Sequence, residues 1–97
     1  METPALEHLV GAYFHLDWAD EFDDDPWRAL EAFVSGTPDL APEVPGEVAD
    51  LLKGQPSDEE LGAYLAALGS AFTPGLEDGG YRGWLTEVAR RVRAATT

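Results

Sequence analysis

The sequence predicts an all-α fold, a compact single-domain bundle of about five short helices spanning residues 1–97. Three observations carry this. Apolar residues recur at helical spacing in stretch after stretch. Helix start signals precede several of those stretches, and prolines and glycines separate them. β-Branched residues are scattered and no alternating run persists, so strands have little support.

The first helix is expected from Pro4 to Phe14 or His15. Thr3 suits the cap, Pro4 the first helical position and Glu7 the first turn. Leu6, Leu9, Val10, Tyr13 and Phe14 form one stripe. The second helix starts at the cap Asp25 with Pro26 behind it, buries Trp27, Leu30, Phe33 and Val34, and ends at Gly36. Arg28 and Glu31 are spaced to pair on its wet side. A third helix falls between Pro42 and Lys53, firm from Gly46, with Val44, Val48, Leu51 and Leu52 as its stripe and Gly54 as its stop. The fourth opens on the capping box Ser57-Asp58-Glu59-Glu60 and carries Leu61, Tyr64, Leu65 and Leu68. Thr73 to Gly80 reads as a loop. The last helix, Tyr81 to Ala94, buries Tyr81, Trp84, Leu85, Val88 and Val92, and Arg90, Arg91 and Arg93 crowd its end, where cations favour the helix dipole.

Charge is the strongest compositional fact. Nineteen acidic residues oppose six basic ones, for a net charge of −13. Such a chain is repelled by nucleic acid and by anionic membranes, and is drawn to a basic protein. The alternative is that acidity serves solubility alone. With no cysteine there is no disulfide framework, thiolate metal site or cysteine nucleophile, which suits a reducing cytoplasm. No apolar run approaches the roughly 20 residues of a membrane span, and the N-terminus lacks the basic lead-in of a signal peptide. No cofactor is implied, and the charge disfavours self-association, so a monomer is expected.

The segment Gly11–Trp27 sets five aromatics and His15 against six carboxylates without one lysine or arginine. It does not read as a metal site. His8 and His15 are too far apart along a helix for one zinc ion, and Asp20–Asp25 lacks the central glycine and closing glutamate of a calcium loop. Nor does it read as an enzyme. Ser35, Ser57 and Ser70 lie outside any nucleophile motif, and six acids in nine residues form a chance carboxylate pair. Tyr13 and Phe14 belong to the first core stripe. Trp18, Phe22 and Trp27 either clamp an irregular, acidic connection onto the bundle or leave one ring exposed as a binding anchor. His15 is expected to bond Asp17 or a nearby carbonyl and fix the helix end, a structural role rather than proton transfer.

The run Leu9, Ala12, Tyr13, Phe14, His15, Asp17 and Trp18, followed by a helix ending in Ala29-Leu30-Glu31-Ala32-Phe33-Val34, resembles the small immunity proteins of contact-dependent growth inhibition systems. The C-terminal half adds a leucine-rich helix, a Pro/Gly loop, then Tyr81, Trp84 and Leu85. The resemblance implies a non-enzymatic, cytoplasmic protein that binds and blocks the toxic C-terminal domain of a cognate effector. Many such toxins are nucleases with basic clefts. Docking residues must discriminate among toxins and so vary within a family. The residues that produce the resemblance, Tyr13, Phe14, His15, Asp17, Trp18, Tyr81 and Trp84, are therefore expected to build shared architecture. The docking candidates are Asp20, Glu21, Asp23 and Asp24, with Asp25 divided between docking and capping. A second acidic face comprises Glu43, Glu47 and Asp50. Two other readings stand beside this one. The chain could be an acidic regulator or nucleic-acid mimic for a basic host protein unrelated to a toxin, or a metal-dependent enzyme using the acidic segment.

Overall fold

The computed structural model describes residues 2–75, 77 and 79–96, and their regular structure is entirely helical. In chain order the helices are α1 (Pro4–Tyr13), α2 (Trp18–Glu21), α3 (Pro26–Gly36), α4 (Val44–Lys53), α5 (Asp58–Ala67) and α6 (Gly80–Thr96), with a 3-10 turn at Ala41–Glu43 leading into α4. The long α6 packs on α4, α5 and α3, and α1 lies against α3 and α4. The described residues of the expected loop Thr73–Gly80 are without α-helix up to Gly80, where α6 begins, and residues 76 and 78 lie outside the described residues.

Two elements depart from expectation. The acidic connection after α1 is not wholly irregular, because it winds into α2. Burial of Trp18 draws the chain inward, and the Glu21 and Phe22 N–H groups close helical bonds to the Asp17 and Trp18 carbonyls. The helix expected to be firm only from Gly46 starts at Val44. Pro45 lies in its first turn, where no intrahelical N–H bond is lost, and its ring is buried.

The core joins the stripes of the helices. Leu6, Leu9, Val10 and Phe14 meet Leu30 and Phe33, Val44 and Val48, Leu61 and Leu65, and Trp84, Leu85, Val88 and Val92. Each buried large side chain contributes about 1.5–3 kcal/mol. Phe14 stands in an aromatic knot, with ring centroids 5.6 Å from Trp18, 5.3 Å from Phe72 and 5.3 Å from Trp84. Two glycines permit close approach. A Cβ at Gly62 on α5 would lie 2.7 Å from the Tyr81 ring, and Gly69 turns the chain after α5 at φ +110°.

The helix starts divide into two kinds. Ser57 and Glu60 form the reciprocal capping box at α5, and Asp25 accepts the Trp27 N–H (3.0 Å) at α3. Thr3 holds the cap position of α1 without capping it, since its hydroxyl bonds the Tyr64 hydroxyl at 2.5 Å. The Ala5 and Leu6 N–H groups donate instead to Glu47 on α4, at 3.1 and 2.9 Å.

Candidate partner-binding surface

The surface is organised by the turn from Phe14 to Trp18. Phe14 and Trp18 point into the core and pin both ends of the turn. The Phe14 carbonyl accepts the Ala71 N–H at 2.7 Å, tying the turn to the chain after α5. His15 Nδ1 accepts the Asp17 N–H at 3.1 Å, so the ring's remaining proton lies on Nε2, 3.2 Å from Glu21 Oε1. The imidazole is used at both nitrogens, and its Asp17 partner is the backbone rather than the carboxylate. Asp17 stands at the cap position of α2 without a side-chain capping bond.

Beyond the turn Asp20, Glu21, Asp23 and Asp24 are exposed. Asp23 and Asp24 take left-handed backbone angles (φ 55° and 59°), which aspartate tolerates better than most residues. Arg28 was expected to pair with Glu31, but it reaches back to Asp23 at 2.6 Å and Asp25 at 4.0 Å. Side chains in a first helical turn lean toward the N-terminus, and the left-handed acids lie there. Asp25 is half-buried and serves α3 as its cap. Among the three rings of the connection, Trp18 is a clamp. Phe22 is half-buried with its centroid 6.2 Å from Tyr13, and half-buried Trp27 lies 4.1 Å beneath the Arg91 guanidinium.

On the α4 side Glu43 and Asp50 are exposed. Glu47, expected among the docking acids, is half-buried, with both carboxylate oxygens committed to the start of α1. Spacing along α4 puts all three acids in one pattern, and only the neighbouring helix separates them. Tyr13 and Tyr81 are half-buried against the core, and Trp84 is 1% exposed. Sequence reasoning assigned no role to Leu16, which lies past the end of α1, where no periodicity sets its face. The signal in the sequence is that a leucine stands at this position, where the resemblance leads one to expect a polar residue.

On α6 Arg90 and Arg91 close on Glu87, and their bonds pull its pKa down to about 2. Among the described residues no group of three or more histidine and acidic side chains converges to hold a metal ion. The Ser57 and Ser70 hydroxyls bond backbone within their own turns. No helix of the described residues is long and apolar enough to cross a membrane.

A small helical scaffold with a pinned turn and solvent-facing carboxylates defines a protein whose outward chemistry suits binding. Its sequence goes further: residues 2–92 match the family model described as CdiI immunity protein, and the chain belongs to that family. Membership makes it an immunity protein of the toxin-neutralising class, a class generally without enzymatic activity, with a cognate toxin protein as its partner. Searches of curated proteins and of solved structures each returned no match.

Proposed function

We propose that this protein neutralises the toxic C-terminal domain of a cognate contact-dependent or polymorphic toxin by occlusion, with an acidic surface set against a basic one. The family match over residues 2–92 carries the reading. The net charge of −13 and the exposure of Asp20, Glu21, Asp23, Asp24, Glu43 and Asp50 support the choice of a basic partner. A nuclease, with a cleft built for phosphate, is a toxin of that character. The protein acts in the cytoplasm as a single-domain monomer that catalyses nothing and needs no cofactor. Effective protection calls for a Kd near ~1 nM or below, roughly −12 kcal/mol. Charge steers and selects the encounter, and buried apolar contacts slow dissociation.

The test is co-expression. The C-terminal domain encoded beside this gene is induced with and without the protein. Growth restored only in its presence, with the two proteins copurifying, supports the reading. Toxicity with neither rescue nor complex overturns it.

A further inference from the structure

Leu16 is 87% exposed, and every other large apolar side chain among the described residues is buried or half-buried. Nothing in the fold asks for an apolar residue there, since no core faces it. The backbone that presents it is nevertheless held on both sides. Phe14 and Trp18 are locked in the aromatic knot, the Ala71 N–H holds the Phe14 carbonyl at 2.7 Å, and the Trp18 N–H holds the His15 carbonyl at 3.0 Å. His15 closes the turn between the Asp17 N–H and Glu21. A backbone so constrained loses little conformational freedom on docking, which lowers the cost of seating the side chain it presents. Its neighbours set the chemistry of the socket. Asp17 follows it in the chain, Glu21 lies against His15, and Asp20 is exposed on the same short helix. A leucine bordered by carboxylates fits an apolar pocket rimmed by lysine or arginine.

We infer that Leu16 is the apolar anchor that determines affinity for the toxin domain, seated in an apolar socket on that domain's basic surface. The inference rests on the function proposed above. It separates two tasks: the acids act before contact, and Leu16 acts after it. Burial of one leucine at the centre of an interface accounts for a change of about 10- to 100-fold in Kd.

The experiment measures binding of the toxin domain encoded beside this gene to the wild-type protein, to Leu16→Gln, and to Ala66→Gln on the exposed face of α5 as a control. Each is measured at low and high salt, with melting temperatures recorded. Leu16→Gln is expected to weaken binding about 10- to 100-fold through faster dissociation, by the same factor at both salts, with an unchanged melting temperature. Ala66→Gln is expected to bind as wild type. Equal affinity for wild type and Leu16→Gln, or a loss confined to association, overturns the inference and leaves the immunity function standing. A lower melting temperature overturns it by assigning Leu16 to folding. Self-association of the free protein that disappears in Leu16→Gln overturns it by assigning Leu16 to a contact between copies. Absence of wild-type binding overturns the inference together with the function on which it rests.

Discussion

The turn between α1 and α3 and the last turns of α6 are the two charged poles of this molecule, and they treat charge oppositely. Along α6 the arginines are exposed but engaged by neighbours in the fold. Arg90 and Arg91 share Glu87, and Arg91 also covers the Trp27 ring. Arg82, at the start of the helix, donates to the Pro56 carbonyl, and Arg28 is spent on Asp23. At the α1–α3 turn, by contrast, Asp20 and Asp24 have no ion pair among the described residues and Glu21 meets only His15. With nineteen acids to six bases, Arg28, Arg82, Arg90 and Arg91 have partners within the protein, while Asp20 and Asp24 have no ion pair among the described residues. Net charge alone hides this division, since a protein of the same charge could pair the acids of this turn and leave its arginines without partners.

The largest expected effect comes from the side chain beneath both poles. Trp84 packs on Phe14 under the acidic turn and precedes Glu87 on the basic helix. Trp84→Ala should cost about 3–5 kcal/mol, read as a lower denaturation midpoint. An unchanged midpoint would show that the two poles do not share a core. Next comes the carboxylate that belongs to neither pole. Glu47→Ala strips the start of α1 of its acceptor and should cost about 1–2 kcal/mol, with faster amide exchange at Ala5 and Leu6. Loss of partner binding with no loss of stability would return Glu47 to the docking surface.

The salt pair of α6 should show itself through pH. Glu87 titrates at about 2 in the folded protein, below its ordinary 4.5, so its stabilisation is complete above the ordinary value and fades as pH falls toward 2. Glu87→Gln should therefore melt below wild type near neutrality, with the gap closing between pH 4.5 and 2. A gap independent of pH would deny the charged contact. The smallest effect on stability belongs to the exposed aspartates of the turn, of which only Asp23 has an ion pair among the described residues, a solvent-exposed one with Arg28. Asp20→Lys combined with Asp23→Asn and Asp24→Asn keeps residues that accept the left-handed backbone and should shift stability by no more than about 0.5 kcal/mol. Its association rate with the toxin domain should fall about tenfold at low salt and converge on wild type at high salt. An unaltered rate at low salt would move the docking surface away from this turn.

Much of the helical layout was legible because its signals are local. Ser57 and Glu60 are three residues apart and need nothing else to close their capping box. Asp25-Pro26 works the same way. The stripe that ends at Tyr13 and Phe14 is as buried as its spacing implies, with Tyr13 at the edge. α2 was not legible, since a single turn of helix has no period to detect and forms because Trp18 finds Phe14 and Phe72 beneath it. Nor was the pairing of Arg28, which depends on two aspartates adopting a left-handed backbone.

What the sequence determined by itself is therefore the helical class, the positions of the well-capped helices, the surplus of negative charge and, through its motifs, the family. Each is set by residues adjacent in the chain or by simple sums over it. What only the tertiary structure decided is the use of individual side chains whose local context is alike. Glu43, Glu47 and Asp50 share one stretch, yet Glu47 alone caps another helix, because α1 begins beside it. Leu16 and Trp18 are two residues apart, yet one is left in solvent and the other taken into the core. A carboxylate or a ring acquires its role from the group it faces, and in this bundle that group lies on another helix.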